Sequence, residues 1–403
     1  MDDRSLLPKF HTRCQNIDHR SLQPKHDSFD LWPTKALLKH LQDRQYTSYP
    51  PARVRNLTVS YADRQIPRLL REKEYKLGEI NKIFASQWLS DRQVVFGTKC
   101  NMLKVMDLIT RQIVHIPSLR SCSDSEAADC PCGIHSIAVN PSKSLLATGG
   151  KNTNDLAVYK LPTFDPVCVG EFGHTDWIFD IKWLDDEFVV SGSRDNSMAL
   201  WCIREDDDAN LVSPSKSVHV PDYSFIKPKA VRICKKAEKV RAMAYNSKTQ
   251  KTQQKLVHIR ENVCLGVCEA HNLYGVGSQS HVALIDPRSL KQINHVVSKQ
   301  RGCGIRSLYF KEDMLTIGTG AGTIYFFDLR AGRYLEHDCG HPISIQLGKG
   351  WLKQDDTYRD FFSNTEYPNA IYTHSWDESG TKLFTAGGPL PAGLWGNYAG
   401  LWS

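Results

Sequence analysis

The amino-acid sequence predicts an all-β fold, a seven-bladed β-propeller. Two observations predict it: residues 173–201 show the strand and turn pattern of one complete blade, and weaker copies of that pattern recur along the chain. The composition, with 41% hydrophobic and 24% charged residues, provides ample core for a chain of 403 residues. No apolar run approaches the roughly 18 residues of a membrane-spanning helix, so we expect no membrane contact.

The clearest blade is a repeat of the WD type, GHTDWIFDIKWLDDEFVVSGSRDNSMALW, at residues 173–201. An entry histidine precedes an alternating strand, a second strand ends in Ser-Gly-Ser, and a third strand ends in Leu-Trp after a tight turn. We predict that four polar side chains form a buried structural hydrogen-bond chain: His174, Ser191 (or Ser193), Asp195 and Trp201. A catalytic Ser–His–Asp interpretation is disfavoured because the blade itself requires these side chains at these positions.

The repeat provides seven inner strands. They begin at Ile83, Ile134, Ile178, Val240, about Val263, Ile305 and Ile371. Most of these starts lie 42 to 66 residues apart, which suits four short strands and their loops. The 23 residues from Val240 to Val263 are too few for four strands, so we expect an incomplete fourth blade.

The two chain ends are predicted to close the ring. The C-terminal NYAGLWS reads as the third strand of the last blade, and EKEYKLG at residues 72–78 is the best candidate for the outer strand. We divide the chain into a disordered tail (1–28), a helix–loop–helix arm with the closing strand (29–78) and the propeller (79–403). The apolar positions of the first helix are Leu37, Leu38 and Leu41. The sequence leaves open whether the arm packs on the propeller or docks into a partner's groove.

The sequence contains no recognisable catalytic motif. It has no P-loop, no HExxH and no GxSxG. Its 12 cysteines show neither a disulfide framework nor zinc-site spacing, which indicates a reducing compartment, the cytoplasm or the nucleus. We therefore expect a protein without enzymatic activity, cofactor or metal.

Superposition of the blades brings several cations into equivalent positions. Lys99, Lys151 and Arg194 each follow the small residues that end a second strand. The residue after the first apolar position of an inner strand is Phe84, His135, Phe179, Arg241, Arg306 or Tyr372. Equivalent positions in a propeller share radius and height, so the cations should converge at one end of the channel, where a bound anion would offset their repulsion. Alternatively, each cation has its own carboxylate or is solvated.

A short acidic peptide suits such a site better than nucleic acid does. The net charge of +7 is modest, and no continuous basic stripe or set of stacking aromatic residues is evident, so we expect no direct nucleic-acid binding. A peptide ending in two glutamates offers three carboxylates, which arginine side chains bind bidentately.

Four segments resemble the WD-repeat substrate receptors of the cullin-4 ubiquitin ligase: NKIFASQWLSDRQVVFGTKCN, LPTFDPVCVG, GIRSLYF and FTAGGPLPAGLWGNYAGLWS. The resemblance covers about residues 34–403. It implies a substrate receptor that is held by the adaptor propeller, damaged-DNA-binding protein 1, and that recognises acidic C-terminal degrons, notably paired glutamates. The degron-binding residues that it implies are Lys82, Lys99, Arg194, Arg241 and Arg306. Lys82 is indicated by the resemblance alone.

The resemblance also implies two adaptor-binding elements. One is the arm, about residues 34–74. The other is a strand-ending Asp-x-Arg box, which occurs as Asp286-Pro287-Arg288 and as Asp328-Leu329-Arg330. A structural turn in which the aspartate pairs with the arginine explains either box equally well. The predicted function is a cullin-4 substrate receptor, and the alternative is a general protein-interaction scaffold that does not read a terminus.

Overall fold

The computed structural model describes residues 61–122, 133–204, 211–212, 222–235, 238–246, 251–253, 264–363 and 367–403. The chain divides into two compact units, Met1–Val59 and Ser60–Ser403, and every described residue belongs to the second. The predicted tail and the first helix of the arm, with Leu37, Leu38 and Leu41, lie outside the described residues. The described helical segments are residues 61–69 and Asp356–Phe361, and neither is long and apolar enough to cross a membrane.

The first three blades each contain four antiparallel strands, and the sheet of the second blade is extended by two further strands, the first of them parallel. The first contains Ile83–Trp88, Gln93–Thr98, Leu103–Asp107 and Ile113–Ile116. The second contains Ile137–Val139, Leu145–Gly149, Leu156–Lys160 and Asp165–Gly170, and is extended by Tyr223–Ile226 and Leu211–Val212. The third contains Ile178–Trp183, Phe188–Ser193, Ser197–Cys202 and Ala230–Ile233.

The last three blades follow the same plan. The fifth contains Cys264–Cys268, Leu273–Gly277, His281–Ile285 and Gln292–Val297. The sixth contains Ile305–Lys311, Met314–Thr319, Thr323–Asp328 and Arg333–Tyr334, with Ser344–Gln346 added beside its third strand. The seventh contains Asn369–Trp376, Leu383–Pro389, Gly396–Trp402 and Glu72–Glu74, with Trp351–Leu352 added beside Gly396–Trp402.

The fourth position of the ring does not hold a full blade. Within the described part of the chain its sheet consists of Ala244–Asn246 and Lys251–Gln253 alone. The described residues therefore form six blades rather than the predicted seven, and the prediction of seven is wrong in this respect. The physical reason is chain length, because four strands and three turns cannot be built from the 23 residues between Val240 and Val263. The helix–loop–helix arm is likewise not confirmed, since only residues 61–69 of it are described as helical.

Adjacent blades are joined by apolar clusters and by glycines that allow close approach. A Cβ atom on Gly192, in the second strand of the third blade, would lie 2.5 Å from Val240 Cγ1 at the next inner strand. Gly97 meets Ile134 of the following blade in the same way. Any side chain at these glycines would push the neighbouring blade outward, because β-sheet cores pack at close to crystalline density.

The ring is closed by hydrogen bonds between the two chain ends. Glu72–Glu74 pairs with Gly396–Trp402 in antiparallel register, within the segment predicted to supply the closing strand. The pairing continues past the strand ends, where Arg71 N–H donates to Ser403 O at 3.1 Å and Tyr75 N–H to Ala399 O at 2.9 Å. The buried Tyr75 then donates through its hydroxyl to Leu108 O at 2.9 Å, which links the closing strand to the first blade.

We predict that Lys73→Pro lowers the free energy of unfolding by about 2 kcal/mol. The register places Lys73 opposite Leu401, in a hydrogen-bonded pair between Arg71 and Tyr75, so proline would remove a ladder donor. Urea unfolding of the wild type and of Lys73→Pro measures the difference in the free energy of unfolding. Lys73→Ala, which keeps the backbone amide, is the control. Equal stability of the proline and alanine variants would contradict closure by this strand.

Candidate ligand-binding channel

The inner strands enclose a central cavity of about 250 Å³. Six of its lining residues are those that follow the first apolar position of an inner strand: Phe84, His135, Phe179, Arg241, Arg306 and Tyr372. We call these six residues the belt. The superposition of the blades predicted equivalent positions for them, and the structure brings all six into one cavity.

A recurring β-bulge directs belt side chains into the cavity. In four inner strands the register with the second strand shifts at the belt position, which is Phe84, Phe179, Arg306 or Tyr372. A bulge inserts one unpaired residue and re-aims its side chain. The shift therefore explains why residues of such different chemistry occupy the same place in successive blades.

Ring contacts connect the belt residues around the channel. Phe84 stacks on His135 with ring centroids 4.6 Å apart and meets Tyr372 edge-on at 5.2 Å. His135 meets Phe179 edge-on at 5.0 Å, and the guanidinium of Arg241 lies 5.8 Å from the centre of the Phe179 ring. These spacings are those at which aromatic pairs and cation–π pairs attract. The belt is thus an almost continuous layer of rings that ends in arginines.

The cavity carries more positive than negative charge. Its described lining includes Arg241, Arg306 and Lys182, with Asp180 as the carboxylate. Asp180 is already engaged, because its Oδ1 accepts from Lys182 Nζ at 2.9 Å and its Oδ2 accepts from Met243 N–H at 2.6 Å. The Nε of Arg306 is buried and makes no hydrogen bond with any described residue. A buried donor of this kind favours binding of an acceptor from outside the chain.

Arg241 and Arg306 both influence the pKa of the Tyr372 hydroxyl. Burial raises the pKa of Tyr372, and the positive charges of Arg306 and Arg241 partly offset that rise. The sequence analysis did not find Lys182 and Asp180 as site residues. Their signal was present, since they follow Phe179 at positions of an alternating strand, but no rule distinguished them from solvated charges.

The other three predicted cations lie elsewhere and have partners. Lys82 is buried, and its ammonium donates to Pro389 O at 2.7 Å and to Pro391 O at 2.5 Å. Burial, followed by the charge of Lys99, lowers the pKa of Lys82 to about 7. Lys99 Nζ donates to Ala392 O at 2.9 Å, and the guanidinium of Arg194 lies 4.6 Å from the centre of the Trp177 ring and 3.7 Å from Asp176.

These three residues, Lys82, Lys99 and Arg194, lie on the side of the ring where the inner strands begin, and we call them the rim cations. Lys99 N–H donates to Lys82 O at 2.8 Å, directly before Ile83. Arg194 N–H donates to Trp177 O at 2.9 Å, directly before Ile178. The structure therefore places Arg241 and Arg306 in the lining of the cavity, and Lys82, Lys99 and Arg194 outside that lining, beside the first residues of two inner strands.

The predicted structural chain of the third blade is present, with one member that the sequence analysis missed. Ser191 Oγ accepts from Trp201 Nε1 at 2.8 Å and lies 2.6 Å from His174 Nε2. On its other side His174 Nδ1 lies 2.7 Å from Ser197 Oγ, which donates to Asp195 at 2.6 Å. Asp195 reaches the imidazole itself only at 3.7 Å, so Ser197 connects the two.

A second buried histidine joins the sixth and seventh blades. His374 Nδ1 lies 2.6 Å from Ser307 Oγ, and its Nε2 lies 2.8 Å from Thr316 Oγ1. Burial lowers the pKa of His374 to about 4. The imidazole is therefore neutral near pH 7 and has a structural place between two blades rather than a role as a cation of the channel.

The two Asp-x-Arg boxes form turns in which the aspartate accepts from backbone amides. Asp286 accepts from Arg288 N–H at 3.0 Å, and Asp328 accepts from Arg330 N–H at 2.9 Å. The Arg288 side chain is exposed, and Arg330 lies 3.5 Å from Asp313. The predicted pairing of aspartate with the arginine side chain is thus replaced by pairing with the arginine's backbone. Among the described residues no cluster of His, Cys, Asp and Glu could hold a metal ion.

Comparison with known proteins gives the family. The family described as the DDB1- and CUL4-associated factor 12 beta propeller matches residues 66–254 and 246–403. The chain belongs to this family. The two matched segments overlap at residues 246–254, so the family pattern is interrupted in the incomplete fourth position.

Curated relatives outside the family share the repeat over a shorter span. Guanine nucleotide-binding protein subunit beta-1 of Caenorhabditis briggsae is 33% identical over 138 residues, which is 33% of this chain and 37% of that protein. Guanine nucleotide-binding protein subunit beta of Lymnaea stagnalis is 32% identical over 138 residues, with the same shares. The chain thus spans little more than a third of the length of these relatives.

We predict that acidification destabilises this family member partly through His374. Because the pKa of His374 in the folded state, about 4, lies below the ordinary value of about 6.5, the unfolded state binds the extra proton. Stability is therefore complete above about pH 6.5 and falls as the pH approaches 4, by up to about 3 kcal/mol from this group.

The test compares wild type with His374→Gln, which retains a donor and an acceptor, in urea unfolding at pH 7 and pH 4.5. The variant should lose less stability on acidification than wild type loses. The same loss in both proteins would rule out His374 as a source of the pH dependence.

Proposed function

We propose that the chain is the substrate-recognition subunit of a cullin-4 ubiquitin ligase and that its channel binds acidic C-terminal tails, with paired glutamates as the best ligand. Membership of the DDB1- and CUL4-associated factor 12 family supports the general role. The observation that supports the ligand is the cavity, where Arg241 and Arg306 enter from different blades and the lining carboxylate, Asp180, is already engaged. The proposed role is non-enzymatic binding of a substrate protein.

Charge and size both favour a peptide terminus. A tail that ends in two glutamates carries three carboxylates, and a hydrogen bond between charged groups contributes roughly 1.5–3 kcal/mol. A cavity of about 250 Å³ admits the tip of an extended chain but not a folded surface. The ring of Phe179 lies beside the Arg241 guanidinium, and apolar surroundings strengthen the attraction between a guanidinium and a carboxylate.

Lys82, Lys99 and Arg194 are proposed as rim contacts for the same tail. Lys99 and Arg194 are partly exposed, so a carboxylate reaches them without displacing core residues. Lys82 is the least accessible of the three, because its ammonium is buried against two carbonyl oxygens. We therefore expect the two cavity arginines to contribute more affinity than any rim cation.

The proposed adaptor surface is separate from the channel. The arm and the Asp-x-Arg boxes are its candidates, and the partner is damaged-DNA-binding protein 1. Arg288 is exposed and the side chain of Arg330 is 56% exposed, so both arginines are available to a partner. Each Asp-x-Arg box lies at the C-terminal end of the third strand of its blade, away from the belt residues.

We predict that Arg306→Ala and Arg241→Ala each weaken binding of a peptide ending in Glu-Glu by about 10- to 100-fold. Fluorescence anisotropy with a labelled peptide measures the affinity. Arg288→Ala, which removes an exposed arginine far from the cavity, is the matched control and should leave the affinity unchanged. Capture of the adaptor by Arg306→Ala and by Arg241→Ala should equal capture by the wild type.

Amidation of the peptide terminus tests recognition of the terminus itself. A receptor that reads the terminus should lose most of its affinity for the amide. An affinity that is indifferent both to amidation and to Arg306→Ala would leave the general scaffold as the better description of the protein.

A further inference from the structure

The helical segment 61–69 is fastened to the sixth blade through charged side chains. Arg64 donates from Nε to Asp328 Oδ2 at 3.1 Å, and its Nη2 lies at the same distance from that oxygen. Asp63 accepts from Lys311 Nζ, with the two charges 3.0 Å apart. One turn further on, Arg68 donates to Glu336 O at 2.9 Å. We call the pairs Arg64–Asp328 and Asp63–Lys311 the latch.

We propose that Asp328 and Lys311 are positioning residues for helix 61–69, a described part of the predicted adaptor-binding arm: they hold this helix on the propeller, and Asp328 does not contact the adaptor. The inference rests on the proposed function, since it concerns how the arm is presented to the adaptor. It assigns the aspartate of one Asp-x-Arg box to the chain's own arm and leaves the arginine to the partner.

The two oxygens of Asp328 are divided between two tasks. Oδ1 accepts from the amides of Arg330 and Ala331, both at 2.9 Å, and so holds the turn. Oδ2 accepts from Arg64. Because Asp328 is also buried, at 7% exposure, neither oxygen is presented to a partner protein.

The equivalent aspartate of the fifth blade shows the difference. Both oxygens of Asp286 serve its own turn, where Oδ1 accepts from Arg288 N–H and Oδ2 accepts from Ser289 Oγ at 2.9 Å. Among the described residues, Asp286 makes no hydrogen bond or ion pair with helix 61–69. The two boxes have the same sequence pattern, yet of the two aspartates only Asp328 bonds to this described helix.

Lys311 extends the latch into the seventh blade. Its ammonium donates to Gly380 O at 2.6 Å and lies 4.4 Å from the centre of the Trp376 ring, in addition to its pair with Asp63. Asp63 is buried, at 5% exposure, so its charge depends on this partner. Ile66 and Leu70 pack against the apolar cluster of the same two blades.

Two side-chain contacts, one at Arg64 and one at Asp63, prevent rotation of the helix about its axis. Successive side chains of a helix project about 100° apart, so one contact at Arg64 would leave the helix free to roll about its axis. A second contact at Asp63, made to a different strand, removes that freedom.

The experiment uses the full chain with Asp328→Asn, which keeps an oxygen for the turn amides and removes the charge that holds Arg64. The matched control is Asp286→Asn, the same change in the box without a latch. Hydrogen exchange of residues 61–69 and the affinity for damaged-DNA-binding protein 1 are measured for each. We expect Asp328→Asn to accelerate exchange and to weaken the adaptor about fivefold, and Asp286→Asn to leave the exchange of residues 61–69 unchanged.

A double-mutant cycle with Arg64→Met separates positioning from direct contact. If Asp328 acts through Arg64, the double variant should bind the adaptor no more weakly than Asp328→Asn alone. Additive losses, or weaker adaptor binding with unchanged exchange of residues 61–69, would show direct contact and overturn the proposal. A wild-type chain that does not bind the adaptor would instead refute the proposed partner, while the exchange result would still decide whether the latch holds the helix.

Discussion

The whole structure depends on close contact between each blade and the next. A glycine in the second strand of one blade, such as Gly192, allows the first apolar residue of the next inner strand, such as Val240, to pack directly against the sheet. Close contacts of the same kind occur at Gly97, Gly277 and Gly318, so a small displacement at one of these joints would be carried to the neighbouring blades. Closure by Glu72–Glu74 beside the C-terminal strand then fixes the circumference. Stability and the diameter of the channel are therefore set by the same packing.

Because the ring is rigid, belt side chains of different chemistry lie at the same height in the channel. The bulge at Phe84, Phe179, Arg306 and Tyr372 turns each of them inward, whatever its chemistry. The blades can thus carry aromatic rings on one side and arginines on the other without any change in the fold. Arg241 and Arg306 both line the cavity, where their positive charges would attract an anion.

The incomplete fourth position shows which contacts the ring requires. Its inner residues remain anchored, since Val240 and Met243 are buried and the Met243 amide donates to Asp180 at 2.6 Å. Arg241, between them, consequently stays beside Phe179 in the cavity. Among the described residues the shortened sheet lacks outer strands, whereas its inner contacts, which position the channel lining, are retained.

Local periodicity in the sequence determined the propeller class and the membership of the belt, because each blade repeats the same strand pattern and equivalent positions must share radius and height. The Trp201–Ser191–His174 chain was predictable for the same reason. Periodicity did not determine the number of blades: the described residues form six, and the strands expected to begin at Ile134 and Val240 begin at Ile137 and Ala244. Only the tertiary structure decided how each charge is used. Lys82 is buried against the carbonyls of the seventh blade, 307 residues away along the chain, and Asp328 is held by Arg64, 264 residues away, so neither partner could be read from spacing. Repeats specify positions, but the partners of charged side chains depend on contacts between distant segments, which form only when the ring closes.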